Sequence, residues 1–195
     1  MNVAVTTAAE GFPRRAFTVE DVSRMIAAGV IREDEKFELI EGEIVVMSAK
    51  GYAHDYIKNT LTVAIARALP ADLMMGVEMT VQFADDMILE PDIAVFARNL
   101  LVKSDANFSR ISPSGLLLAI EFAAASLAYD KGLKARLYAR HRVQELWVVD
   151  SNERVTWIHS GPEGDGWASI VERRPRETLT TTALPNFSIS LAEIE

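Results

Sequence analysis

Three residues in this sequence place acid and base where chemistry could use them. Asp92 follows Glu90-Pro91 and opens the apolar run Ile93-Ala-Val-Phe96, Glu121 closes the apolar run Leu116-Leu-Leu-Ala-Ile120, and Lys134 lies on the segment just after it. Two carboxylates at neighbouring strand ends make a hard oxygen site. Such a site suits Mg²⁺ or Mn²⁺, because Mg²⁺ takes one or two carboxylates and keeps several waters. A lysine beside it can hold or deprotonate the water that attacks a phosphodiester. The cation would offset charge on the pentavalent transition state. Taken singly, each acid also reads as a solvated strand end, the usual place for a carboxylate.

The elements that must position these groups can be read from the apolar pattern. Gly115–Phe122 reads as a buried strand, and a short run of small residues leads from it into a helix from Ser126 to about Arg140. At about 100° per residue, Leu127, Asp130, Leu133, Lys134, Leu137, Tyr138 and His141 share one face, and Arg136 and Arg140 point away. Lys134 therefore sits inside the apolar stripe, where a lysine must snorkel, pair or work. The wheel leaves two readings open: a Lys134–Asp130 pair at i, i+4 on the edge of the core, or a working amine.

The rest of the chain supplies a frame. Thr18-Val-Glu-Asp21 is a helix-start signal and Gly29 a stop. Phe37–Ile40 and Glu43–Met47 predict a hairpin around Glu41-Gly42. Gly51 opens a second helix that ends at Pro70. Met75–Phe83 reads as one strand, Asp85-Asp86 as a turn, and Ile88–Phe96 as strand-like around Pro91. Leu100–Pro113 reads as a loop with room for a short helix. Glu145–Asp150 is a strand, Arg154–His159 and Trp167–Glu172 a hairpin, and Thr178–Leu191 a tail without strong period. This order predicts an α/β fold, a mixed sheet with helices packed on it, with parallel strands flanking the helix after Glu121. Residues 1–15 are expected to form a flexible arm and 16–195 a single domain.

Composition narrows the function. The chain has 195 residues, 49% of them hydrophobic, and a net charge of −8. It has no cysteine, which excludes disulfides, thiolate metal sites and cysteine nucleophiles. The acidic balance argues against a constitutive nucleic-acid coat, whose affinity comes mostly from Lys and Arg on phosphates. It leaves room for an enzyme that meets nucleic acid through a local basic groove and a bound cation. No apolar run approaches the roughly 20 residues of a membrane span. With no apolar stretch at the start, the expectation is no signal peptide and a cytoplasmic location.

Further residues could serve the site. His54 near the start of the second helix could point at it, or could cap or face solvent. Glu38 on the first hairpin could support it, or could pair across strands. Tyr138, one turn past Lys134, could orient the lysine or simply pack, and Trp147 reads as core.

Taken together, Glu90-Pro-Asp92-Ile-Ala-Val, Glu121, Ser126-Leu-Ala-Tyr-Asp130-Lys-Gly-Leu-Lys134-Ala-Arg-Leu-Tyr138 and Val143-Gln-Glu-Leu-Trp147-Val-Val-Asp150 resemble the Uma-two family. So do Phe37-Glu-Leu-Ile-Glu-Gly42-Glu and Met47-Ser with His54 downstream. That family belongs to the PD-(D/E)XK restriction-endonuclease-like superfamily. The resemblance implies a restriction-endonuclease-like core and Mg²⁺- or Mn²⁺-dependent hydrolysis of nucleic acid, with DNA the expected form and 5′-phosphate and 3′-hydroxyl ends. It also implies a homodimer. It makes Asp92 and Glu121 the metal-binding acids. Lys134 would replace the lysine that other superfamily members carry two residues after the Glu, where this chain has Ala123. One departure stands out: the polar segment usual after the Glu is Ala123-Ala-Ala125 here. That departure keeps an alternative open, a catalytically weakened or inactive nuclease fold that acts as a partner-binding module.

Overall fold

Thr18 starts the first helix as its sequence predicts. Its hydroxyl accepts from the Asp21 N–H at 3.1 Å, and the Asp21 carboxylate accepts from the Thr18 N–H at 3.1 Å. This reciprocal box satisfies two N–H groups that a helix start otherwise leaves unpaired. The helix, α1 (Val19–Ala27), ends before Gly29, which takes a left-handed φ of 71°. The structure is a computed structural model and describes residues 5–7, 13–32, 34–47, 50–103, 108–111 and 115–194.

In chain order the first strands are β1 (Val5–Thr7), β2 (Pro13–Arg15), β3 (Phe37–Ile40), β4 (Glu43–Val46), β5 (Leu73–Val77), β6 (Val81–Ala84), β7 (Met87–Leu89) and β8 (Ile93–Ala97). Then come β9 (Leu101–Lys103), β10 (Ser109–Ile111), β11 (Leu116–Ala123), β12 (Glu145–Asp150), β13 (Thr156–Glu163), β14 (Gly166–Arg173), β15 (Thr178–Thr181) and β16 (Leu184–Ser190). The chain forms two compact units that interleave in sequence: Met1–Ser48 with Thr80–Glu90 and Val102–Ile111, and Ala49–Met79 with Pro91–Leu101 and Ser112–Glu195.

The first unit is built on a six-stranded sheet of order β4-β3-β7-β6-β10-β9. The expected hairpin of β3 and β4 turns through Glu41 and Gly42, both left-handed, at φ 49° and 83°. Two positive φ values in succession match the twist of the flanking strands. Any side chain on Gly42 would collide with Ala16, 2.6 Å from where its Cβ would stand. Val19 and Val22 of α1 bury against Ile31, Leu39 and Ile88. Within the segment expected as an arm, β1 pairs antiparallel with β2. Part of that segment, and residues 104–107 and 112–113 of the expected loop, lie outside the described residues.

The second unit is a mixed six-stranded sheet of order β14-β13-β12-β11-β8-β5, in which β11 runs parallel to β12 and antiparallel to β8. The helix α2 (Tyr52–Ala68) starts after Gly51 and stops short of Pro70, as the sequence predicts. Its Ile57, Leu61 and Ile65, one per turn, bury against Ile93, Val95, Leu118, Ile120, Phe122, Trp147 and Val149. Those strand residues recur at period two, so they mark one face of the sheet. Glu121 lies between Ile120 and Phe122 and alternates away from that face. Trp147 is fully buried.

Three expectations need correction. The segment expected as a loop, Leu100–Pro113, carries two strands, β9 and β10, which extend the sheet of the first unit beside β6. Met75–Phe83 is not one strand. Glu78 turns left-handed at φ 48° and splits the run into β5 and β6, which belong to different sheets. The supposed tail is a further hairpin, β15 with β16, because Leu179, Leu184, Phe187 and Leu191 all bury into the core of the second unit. Their spacing is irregular because the ladder shifts between Leu179 and Thr181, which hid the strand period.

After β11 the chain forms one turn of α-helix, α3 (Leu127–Tyr129), a π-helical turn at Asp130–Lys134, and α4 (Ala135–Arg140). Lys134, Leu137 and Tyr138 are buried and Arg136 and Arg140 exposed, as the wheel predicts, though the π turn widens the helix just where Lys134 sits. Among the described residues no helix is long and apolar enough to cross a membrane.

Candidate active site

The ladders of the second unit fix where its acids fall. Val77 pairs with Ile93, Ile93 with Ile120 and Ile120 with Trp147, which makes one row across β5, β8, β11 and β12. One step further, that row becomes Glu78, Asp92 and Glu121. The Glu78 N–H donates to the Asp92 carbonyl at 3.0 Å, so the alignment persists past the last ladder pair. Asp92 also reaches across to β11: its Oδ2 accepts the Phe122 N–H at 2.9 Å. Three acidic residues thus follow one another across neighbouring chain segments at one end of the sheet.

Cations answer them. Lys50 Nζ lies 2.7 Å from Asp92 Oδ1 and 2.8 Å from Glu78 Oε1. Lys58, on α2, donates to Glu78. Lys134 Nζ lies 2.8 Å from Glu121 Oε1, and the Tyr138 hydroxyl donates to the same oxygen at 2.5 Å. His54 Nε2 faces Asp92 Oδ2 at 3.3 Å, its Nδ1 faces Asp55 Oδ1 at 3.1 Å, and its ring packs edge-on to Phe122. Burial works against the Asp92 carboxylate, but hydrogen bonds from His54, Lys50 and the Phe122 N–H prevail and lower its pKa to about 2. Hydrogen bonds from Lys50 and Lys58 lower Glu78 to about 2 as well. Burial pulls Lys50 down, and its bonds to Asp92 and Glu78 more than reverse that, so it stays charged.

The sequence-predicted residues therefore fall as follows. Asp92, Glu121, Lys134, Tyr138 and His54 all belong to the second unit and are buried, and each touches one of the two acids or is one of them. Asp130 is buried and accepts from the Ser126 hydroxyl at 2.6 Å. Glu38 belongs to the first unit, where it accepts the Glu90 N–H at 3.1 Å. The Glu90 carboxylate is held there by Lys36 at 2.8 Å and the Thr80 hydroxyl at 3.2 Å. Sequence reading missed Lys50, Lys58 and Glu78. Lys58 left a trace: it lies at i+4 from His54, on the face of Ile57 and Leu61, so two polar residues interrupt an apolar stripe.

The donor set fits a hard divalent cation. Asp92, just before β8, and Glu121, on β11, offer carboxylate oxygens, and a carboxylate has capacity for several partners at once. Among the described residues no group of three or more His, Asp or Glu side chains is arranged to hold a metal ion. The protein's share would be the two carboxylates, with water or a substrate phosphate completing the shell, the usual arrangement for Mg²⁺.

The family described as "Putative restriction endonuclease", Uma2, matches residues 19–192. The chain belongs to the Uma2 family. That match runs from α1 almost to the end of the described chain, and it is the family the motifs around Asp92, Glu121 and Lys134 resemble. The Uma2 chain is also similar to a crystal structure described as "a putative nuclease belonging to DUF820" from Anabaena variabilis ATCC 29413. The TM-score is 0.69 at 16% identity, over 91% of this chain and 97% of that one. This likeness shows the restriction-endonuclease-like fold. No curated protein matches the chain.

Proposed function

We propose that this Uma2 chain is a metal-dependent endonuclease that hydrolyses phosphodiester bonds of nucleic acid, with DNA as the substrate. The observation that carries the reading is that buried Asp92, just before β8, bonds to the Phe122 N–H beside buried Glu121 on the neighbouring β11, with the Lys134 ammonium 2.8 Å from Glu121. Asp92 and Glu121 would hold Mg²⁺ or Mn²⁺, which would supply charge to offset the extra negative charge of the transition state. Tyr138 orients Glu121, and His54 with the Phe122 N–H orients Asp92. Both acids are thus held in place before substrate arrives, which is the preorganisation that electrostatic catalysis needs.

Lys134 positions the attacking water and presents positive charge to the phosphate. The water oxygen bonds to phosphorus as the P–O3′ bond breaks. The water gives up a proton to solvent, and the leaving 3′-oxygen takes one from solvent, which leaves a 3′-hydroxyl opposite a 5′-phosphate. A homodimer is the assembly proposed on the family resemblance, and light scattering tests it.

A second reading has one observation in its favour. Ala124 and Ala125 are exposed beside the site and bring no hydrogen-bonding side chain where the family carries polar ones. An inactive nuclease fold that binds a partner would tolerate this. Incubation with plasmid DNA separates the two. An endonuclease nicks it with Mg²⁺ or Mn²⁺ and stops on chelation. Inactivity on single- and double-stranded DNA and RNA with either ion favours the binding module.

A further inference from the structure

One cation of the acid row has no part in the cleavage step above. Lys50 Nζ bridges Asp92 Oδ1 at 2.7 Å and Glu78 Oε1 at 2.8 Å. Its side chain is 25% exposed, while that of Asp92 is 6% exposed, so the ammonium reaches a buried acid from the wetter side. Glu78 does not depend on Lys50 for its position. Lys58 holds the same carboxylate oxygen, and the Glu78 N–H is bonded to the Asp92 carbonyl. Its left-handed backbone, at φ 48°, is a conformation that non-glycine residues adopt only when their surroundings enforce it.

An ammonium on a carboxylate oxygen occupies lone pairs and neutralises charge that a divalent ion would need. Between two acids it can release one and keep the other. We propose that Lys50 is a displaceable internal cation: it neutralises Asp92 while no divalent ion is bound, and withdraws onto Glu78 when one binds. Glu78, anchored by Lys58, is the carboxylate that receives it. The ion thus enters without forcing a bare ammonium into the protein, and the acid row keeps a balancing charge in both states. This inference rests on Asp92 being a metal ligand, as proposed above.

Calorimetric titration of Mn²⁺ and Mg²⁺ into the full chain tests it, with thermal denaturation of each variant alongside. Lys50→Met removes the competing charge and should bind the ion roughly tenfold tighter or more, because a full charge a few ångströms away acts strongly in a buried site. Lys50→Gln, which keeps hydrogen-bond donors for both acids, covers the case in which Lys50→Met does not fold, and should also bind tighter. Lys50→Arg keeps the charge and should bind as the parent does. Asp92→Asn should lose binding. If the parent binds through Asp92 but neither neutral variant gains affinity, Lys50 is a structural strut, and the metal-site reading survives without it. If Asp92→Asn binds as well as the parent, or if neither parent nor neutral variants bind any ion, the metal-site reading fails and the displaceable cation fails with it.

Discussion

Lys134 places its Nζ 2.8 Å from Glu121 Oε1, from a π-helical turn to the strand that precedes it in the chain. Both side chains are almost wholly buried. A lysine so placed is neither a solvated residue nor a snorkelling one.

Lys134→Met keeps most of the stem's volume but leaves a buried carboxylate short of a cation. Breaking a buried pair from one side costs about 3–5 kcal/mol. The Tyr138 hydroxyl bond to Glu121 remains, so the loss should fall near the lower end of that range. Cleavage should fall by roughly 10²-fold or more, the usual scale for losing one preorganised group aimed at the transition-state charge. Metal affinity should persist or rise. Denaturation midpoints and single-turnover rates, measured on the same preparations, check all three.

Asp92→Asn should abolish Mg²⁺ or Mn²⁺ binding, because a neutral amide is a poor substitute for a carboxylate ligand. Calorimetry reads this directly, and equal affinity in the variant would place any bound ion elsewhere.

Tyr138→Phe removes the 2.5 Å hydrogen bond to Glu121 and leaves the ring in place. A hydrogen bond to a charged group contributes about 1.5–3 kcal/mol, so the variant should be less stable by about that much. If Tyr138 also orients Glu121, the single-turnover rate should fall with it and metal affinity should weaken. A stability loss with unchanged rate and affinity would make Tyr138 a packing residue.

Stability should fall in acid through the same row. Asp92 and Glu78 both have pKa values lowered to about 2 in the folded protein, from 3.8 and 4.5. Their contribution is complete above the ordinary values and is lost as pH falls from about 4.5 towards 2. For Asp92, whose side chain is 6% exposed, it is on the order of 2 kcal/mol. Glu78→Gln should therefore show a shallower loss of melting temperature between about pH 5 and about pH 2, a range that spans that window. A parallel loss in parent and variant would contradict it.

Much of this architecture can be read from residue order because the signals are local. Thr18 and Asp21 announce a helix, Glu41-Gly42 a tight hairpin, and the apolar run before Glu121 a buried strand. Lys134 stands out because it interrupts an apolar stripe. What it faces cannot be read from the helix alone, since Asp130 satisfies the i, i+4 rule equally well and the partner comes from another element. Glu78 is hidden for a different reason. It sits inside a strand-like run, and only the tertiary bonds to Lys50, Lys58 and Asp92 show why the backbone turns there. Lys50 precedes a helix in a stretch without period, so no pattern exposes it. The β15–β16 hairpin was illegible because its buried residues follow the core's shape and not a strict alternation.

The central claim is that Asp92, Glu121 and Lys134 form one hydrolytic site. Its most direct test is single-turnover cleavage of DNA with Mg²⁺ and with Mn²⁺, the parent beside Glu121→Gln. Circular dichroism and melting temperature would establish that both are folded. The account predicts that the parent cleaves, that chelation stops it, and that Glu121→Gln is folded but inactive. A folded Glu121→Gln that cleaves at the parental rate would contradict it.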